Sequence, residues 1–286
     1  MSRLRAWLAG GLLITDGAWG TELQARGLPA GSPPDPWNVT CPERVEAVAR
    51  AYVAAGSQVI LTNTFRANAA AMEGDLEEIN RAGVAISRRA ANGAALVFAS
   101  IGPTGKMLVA GEITKEQATA AFAAQAATLS AAGADALLLE TMSDIDEARL
   151  AVAAARSVGL PVIASFAFDS GKKKDRTMMG ATPETIAAAM AEAGADAVGA
   201  NCGIGIEHAA DLCRRLRAAC DLPIWIKPNA GLPTIEGTVI RYEVSPEFFA
   251  SHYAAVRDAG ASFLGGCCGS TPDFIRALVS ARCASS

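Results

Sequence analysis

Three cysteines stand out for the chemistry they could perform together: Cys202, in the tripeptide Asn201-Cys202-Gly203, and the adjacent pair Cys267-Cys268, flanked by glycines in GGCCG. Neighbouring cysteines are poorly placed to bridge each other, and glycines beside them let the backbone bend until both thiols turn to one side. Three protein ligands with an open fourth position is the pattern of catalytic zinc, whereas structural zinc sites close with four. Thiolates also select zinc over magnesium or calcium. Small thiols that merely pack in a core explain the same positions equally well on spacing alone, since no compact CxxC motif is present. The other four cysteines, Cys41, Cys213, Cys220 and Cys283, do not join the constellation. The two histidines, His208 and His252, fall in helical segments, which argues against a histidine base or ligand.

Two carboxylates, Asp16 and Glu140, follow directly on apolar runs, where a solvated surface is a weak explanation. An amine is the simplest partner for them. Gly17 after Asp16 leaves backbone N–H groups accessible, and such groups suit a carboxylate. Together these residues predict a small amino acid as ligand. A helix cap, or a carboxylate paired inside the fold, is the alternative.

Elements that would position these residues can be read from periodicity. Short apolar runs alternate with longer Ala-rich helical segments from end to end. Strands are expected over 12–15, 58–62, 96–101, 136–140, 161–166, 196–200, 223–227 and 262–266, with helices over 43–55, 114–132, 183–193 and 246–259 between them. The phrase Ala-Gly-Ala/Ser recurs before four of the runs, and its glycines at 56, 133, 194 and 260 fit the left-handed position that ends a helix. Eight strand-then-helix units with no linker favour one closed parallel (β/α)₈ TIM barrel, an α/β fold spanning 1–286, over a doubly wound open sheet. In such a barrel the active site gathers at the C-terminal ends of the strands. Asp16, Thr62, Glu140, Cys202, Lys227 and Cys267 all stand there.

Composition agrees with one large α/β unit: 286 residues, 51% hydrophobic, net charge −4. The only dense basic run, Lys172, Lys173, Lys174 and Arg176, reads as a solvated loop, so nucleic acid is not an expected partner. The opening MSRLRAWLAGGLLITDG resembles a weak signal peptide, but its apolar stretch runs into Asp16 without a small-residue cleavage site. No segment approaches the roughly 20 apolar residues of a membrane span. Free thiols in this number suggest a reducing compartment, and a cytoplasmic protein is the expectation.

The motifs DGAWGTELQARG, LTNTFRAN, LLLETMSD, GANCG, KPNAGLP and GGCCGSTPDFI make the chain resemble the homocysteine S-methyltransferase family from Asp16 to Leu278. The resemblance implies a barrel whose zinc, on Cys202, Cys267 and Cys268, takes the sulfur of homocysteine as its fourth ligand before that sulfur receives a methyl group. It implies that Asp16 and Glu140 hold the substrate's amino group, that Gly17 and Ala18 offer amides to its carboxylate, that Thr62 positions it and that Asn201 shapes the ligand loop. On the donor side, Trp37 fits one position of the aromatic cage of betaine-using members, which attracts a quaternary ammonium. Arg66 and Thr141 stand where those members carry tyrosine, and a cation facing Arg66 would be repelled. KPNAGLP instead resembles the homocysteine module of cobalamin-dependent methionine synthase. The expected donor is therefore either a separate methyl-corrinoid protein or a small molecule such as S-methylmethionine, with betaine and S-adenosylmethionine also to be screened. Two other readings are open: an acceptor that is a different thiol or a selenol, and a non-catalytic zinc- or amino-acid-binding subunit of a methyl-transfer complex.

Overall fold

Successive side chains of a strand point to opposite faces, and this alternation sorts the apolar runs into two separate cores. In the computed structural model, which describes residues 3–236 and 239–284 (backbone alone at 204, 235, 236 and 239–241), Leu13, Val59, Leu61, Phe98, Ala136, Leu138, Ile163, Ala197, Trp225 and Phe263 form one cluster. All eight expected strands contribute to it, which only the inside of a closed ring permits. Their neighbours, among them Ile14, Ile60, Val97, Leu137, Val162, Val198, Ile226 and Leu264, belong to the larger core shared with the surrounding helices. The expected span 1–286 includes 1–2, 237–238 and 285–286, which lie outside the described residues.

The barrel strands are Leu13–Ile14 (strand one), Val59–Leu61 (two), Leu96–Ile101 (three), Ala136–Met142 (four), Val162–Phe166 (five), Ala197–Gly205 (six), Ile224–Asn229 (seven) and Phe263–Leu264 (eight). All pair in parallel with their neighbours, strand one with strand eight. Strands one and two meet through a single bridge, Thr15 to Val59, and the Gln58 amide donates to the Ile14 carbonyl at 2.8 Å. This short seam relies on side chains: Gln58 Oε1 accepts the Ile14 amide at 3.1 Å. The parallel TIM barrel expected from the repeat is the observed architecture.

Helix ends follow local chemistry. Thr114 and Gln117 form a reciprocal capping box at the start of Lys115–Ala131. Gly56, Gly133, Gly194 and Gly260 have φ of 96°, 96°, 83° and 97°, as their place after a helix requires. The opening segment is part of the barrel: the helix Arg3–Trp7 buries Leu4 in the inner cluster and sets Trp7 against Phe98, ring centroids 5.6 Å apart.

Two features differ from expectation. The helix expected over 246–259 is broken into Pro246–Ser251 and Tyr253–Asp258. The Ser251 hydroxyl and His252 Nδ1 both claim the Phe248 carbonyl, at 2.7 and 2.9 Å, and the His252 amide turns to Phe249 instead. Between strand seven and this helix the chain also forms an antiparallel hairpin, Pro233–Glu236 with Val239–Tyr242.

Candidate active site

Two residues beyond the apolar inner layer, the strands present polar side chains to the same interior: Ser100 after Phe98, Glu140 after Leu138, Ser165 after Ile163 and Lys227 after Trp225. Asn201 takes the equivalent place on strand six. Ser100, Ser165, Asn201 and Lys227 are all at most 2% exposed, so each must find a partner within the fold.

Asp16 finds its partners entirely inside the protein. Its Oδ2 accepts the Trp19 indole N–H and the Leu61 amide, both at 2.7 Å, and its Oδ1 is ion-paired with Lys227 Nζ. Asp16, expected to meet a substrate amine, is fully buried in this structure and does not line the cavity. The reason lies in the seam, where two very short strands leave the Leu61 amide without a ladder partner and the aspartate supplies one. Burial opposes the Lys227 ammonium, but the negative charge of Asp16, its ion-pair partner, and that of Glu140 when ionised outweigh it, and the net shift is upward.

Glu140 is the carboxylate that does reach the cavity. Burial pushes its pKa up to about 7, against the opposing pull of Lys227 and a hydrogen bond from Ser100 Oγ. Ser100 is itself oriented by Thr62, whose Oγ1 accepts the Ser100 amide at 3.1 Å. Thr64 Oγ1 donates to the Ser100 carbonyl at 2.7 Å, so its hydroxyl contact with Thr62 at 2.6 Å must take its proton from Thr62. Thr62 thus lines the cavity with a hydroxyl already committed to holding the neighbouring strand.

Strands four and six each lose register at the site, between Leu139 and Met142 and between Cys202 and Gly205. There Thr141 and Cys202 adopt φ of 62° and 56°, a left-handed conformation that costs a residue with a side chain of order 1–3 kcal/mol. Asn201 holds both. It accepts the Thr141 amide at 2.9 Å, donates to the Thr141 hydroxyl at 2.8 Å and reaches Cys202 Sγ at 3.5 Å, while Ser165 Oγ donates to its Oδ1 at 2.6 Å.

Cys202 meets the other two cysteines as expected: the three sulfurs lie within 4.8 Å of one another, the one such group of possible metal ligands among the described residues. The Cys267–Cys268 turn is pinned to strand seven, with the Cys267 amide on the Pro228 carbonyl at 2.7 Å and the Ala230 amide on the Cys268 carbonyl at 2.9 Å. Cys202 Sγ and Cys267 Sγ are 2.9 Å apart. Hydrogen bonds from Cys202 and Cys267 pull the Cys268 thiol down to about 3, whereas the contacts with Cys267 and Cys268 drive Cys202 well up. Between the two backbone bonds that pin the turn, Asn229 buries an Oδ1 that has no donor among the described residues. A set of three sulfurs fits a thiophilic metal such as zinc.

These groups line one cavity of about 260 Å³. Its wall includes the three cysteines, Glu140, Thr141, Thr62, Lys227 and the Gly17–Ala18 turn, with Trp19 and Phe65 as its aromatic residues. The Ala18 amide is turned to the Ser270 carbonyl and hydroxyl, both at 3.2 Å, so it is less free than expected. Trp37 and Arg66, expected on the donor side, do not line the cavity. Trp37 lies beneath the Arg44 guanidinium, 5.2 Å from ring centroid to Cζ. Arg66 is exposed and reaches the Ala71 carbonyl at 3.3 Å, its amide bonding to Asp35. Cys213 is buried with its thiol on the Ala259 carbonyl, and Trp225 is inner core.

Sequence reading missed Ser100, Trp19 and Phe65, and it gave Lys227 no role. Lys227 and Ser100 had a usable signal, a polar residue two positions past an inward apolar one. Trp19 and Phe65 lie in loops, where no period applies.

A family model described as homocysteine S-methyltransferase matches residues 13–282. Methionine synthase of Mycobacterium leprae is 30% identical over 302 residues, covering 96% of this chain and 25% of the relative. That of Mycobacterium tuberculosis is 30% identical over 297 residues, covering 94% and 24%. The chain therefore spans about a quarter of the length of these curated relatives. Among solved structures, the homocysteine methyltransferase MmuM from Escherichia coli superposes in its metallated form with a TM-score of 0.79 at 27% identity, covering 97% of this chain and 99% of that one. Its apo form gives 0.75 at 26% identity with the same coverage.

Proposed function

Because the chain belongs to the homocysteine S-methyltransferase family, we propose that it methylates the thiol of homocysteine to give methionine, using a zinc ion held by Cys202, Cys267 and Cys268. The observation that carries this reading is the convergence of three sulfurs on the same cavity as Glu140. That a relative of the same fold has been obtained in a metallated form supports it. Zinc, when bound, would keep the substrate sulfur as a thiolate at neutral pH, where a free thiol of pKa near 8.5 is mostly protonated.

The chain's own residues do the rest. Glu140, once ionised, receives the substrate ammonium, and the charge of that ammonium favours its ionisation. The Gly17 amide, with no acceptor among the described residues, and the Lys227 ammonium at the cavity wall suit the substrate carboxylate. Asp16 serves through Lys227 rather than by contact. Trp19 and Phe65 exclude water from the remaining wall, the side from which an electrophilic methyl group would approach. The unit that does this is the one barrel over 1–286.

The donor is a small molecule or a separate methyl-corrinoid protein, and the reducing interior of a cell would keep the thiols free. Among the described residues no helix is long and apolar enough to cross a membrane. Zinc analysis and a homocysteine methylation assay with betaine, S-methylmethionine, S-adenosylmethionine and methylcobalamin test the proposal. One bound zinc per chain and methionine formed from at least one donor are expected. Protein that takes up no zinc on reconstitution, with methyl transfer unchanged in Cys268→Ala, would overturn it.

A further inference from the structure

Two turns at the cavity wall, one at 17–18 after strand one and one at 267–270 after strand eight, are tied together by the buried side chains of Ser270 and Tyr52, neither of which lines the cavity. Ser270 Oγ donates to the Cys267 carbonyl at 2.7 Å, which commits its proton to the cysteine turn, and its remaining lone pairs accept the Ala18 amide at 3.2 Å. Tyr52, carried by the helix Pro42–Ala54, closes the other side: its phenol donates to the Ala18 carbonyl at 2.6 Å and to the Ser270 carbonyl at 3.2 Å. Two glycines make room for this brace. A Cβ at Gly17 would fall 2.7 Å from the Tyr52 hydroxyl and 2.9 Å from Ser270 Oγ, and one at Gly266 would fall 2.3 Å from Ser270 Oγ. Any side chain at either position would push the two turns apart.

We infer that Ser270 and Tyr52 are positioning residues that hold the sulfur end of the site against its carboxylate end, so that one substrate molecule can reach the metal and the Gly17 amide at once. This rests on the zinc and homocysteine reading above. Cys267 and Cys268 belong to the strand-eight turn, and the amide suited to the carboxylate belongs to the strand-one turn. The pairing of strands one and eight ends with the Gly266 amide on the Asp16 carbonyl at 3.1 Å. Beyond it the turns are joined by the brace, by the Ala18 amide on the Ser270 carbonyl at 3.2 Å and by the Gly269 amide on Thr21 Oγ1 at 3.3 Å. A ligand that spans two groups gains the full affinity of both only when their separation is fixed beforehand; otherwise part of it goes into ordering the turns. Loosening the brace should therefore weaken only ligands that use both ends.

The test measures dissociation constants of two thiols on the zinc-saturated full chain by calorimetry: homocysteine and its decarboxylated analogue, an aminopropanethiol that keeps the sulfur and the amine. Ser270→Ala removes the hydroxyl bridge and Tyr52→Phe the phenol donor, each with a smaller side chain in the same seat, and either variant decides the question by itself. Wild-type protein should bind homocysteine more tightly than the analogue. Each variant should lose about 3- to 10-fold in homocysteine affinity, as for one hydrogen bond, while its affinity for the analogue stays within about twofold of the wild-type value. Equal weakening of both thiols, or homocysteine affinity unchanged in the variants, would overturn the inference and leave the zinc reading intact. Wild-type protein that takes up no zinc, or that takes up zinc and binds no homocysteine, would overturn that reading as well.

Discussion

Asn201 and Thr141 are joined by two hydrogen bonds in opposite senses, the Thr141 amide on Asn201 Oδ1 at 2.9 Å and Asn201 Nδ2 on the Thr141 hydroxyl at 2.8 Å. This pairing ties the bulge of strand four to that of strand six and holds left-handed backbone at a residue beside each of Glu140 and Asn201 itself. Asn201→Ala is expected to leave the Thr141 amide unpaired and to cost about 2–4 kcal/mol. Urea unfolding of the metal-free protein measures this. Zinc content should fall together with stability, because Cys202 loses its anchored backbone; an alanine variant as stable and as zinc-replete as the wild type would refute the clamp.

Lys227 and Asp16 form a pair with side chains 2% and 0% exposed. Removing one partner leaves a buried charge uncompensated, so Lys227→Met should destabilise the fold by about 3–5 kcal/mol. Asp16→Asn combined with Lys227→Met should cost clearly less than the sum of the single changes. A thermodynamic cycle from chemical denaturation decides it, and additive costs would show that the pair acts as two unrelated residues.

Glu140 makes a pH prediction whose sign follows from burial. Its folded pKa, about 7, lies above the ordinary 4.5, so the folded state keeps the proton longer than the unfolded chain does. Stability from this group is therefore full below about pH 4.5 and is lost as pH rises toward 7, by about 3 kcal/mol in all. The difference in unfolding free energy between wild type and Glu140→Gln, measured on metal-free protein from pH 4.5 to 7.5, should drift by that amount in favour of the variant. Binding of homocysteine to the zinc-loaded protein should strengthen more steeply over the same interval in the wild type than in the variant, which keeps only the dependence that comes from loss of the substrate's thiol proton.

The cavity wall also separates donor-side residues. Trp37→Phe and Arg66→Ala should leave the kinetic constants for any active donor within about twofold, since neither side chain reaches the cavity and surface changes of this kind are usually mild. Phe65→Ala should raise the donor KM well beyond that. Steady-state kinetics with the best donor compares them, and an Arg66 variant with a strongly altered donor KM would place that guanidinium back at the site.

Much of the molecule could be read from one dimension because barrel strands impose a period of two and repeat eight times. The strand positions, the glycines that end helices and the three cysteines at strand ends all follow from that regularity. The hairpin and the break at His252 could not be read, since each depends on which side chain reaches which backbone carbonyl in a loop.

What the sequence determined alone, then, was the ring and the identity of the residues at its mouth: three thiols and two carboxylates placed just after apolar runs. Tertiary structure decided which of them are free to act. Asp16 and Glu140 look equivalent in sequence, but closure of the barrel leaves the Leu61 amide without a strand partner and brings Lys227 alongside, so Asp16 is consumed by the seam while Glu140 remains at the cavity. Trp37 and Arg66 lie off the cavity wall, a placement set in loops that no strand period reaches. Hydrogen bonds between residues 45 or 211 positions apart have no periodic trace in the chain, because only the closed ring makes them neighbours.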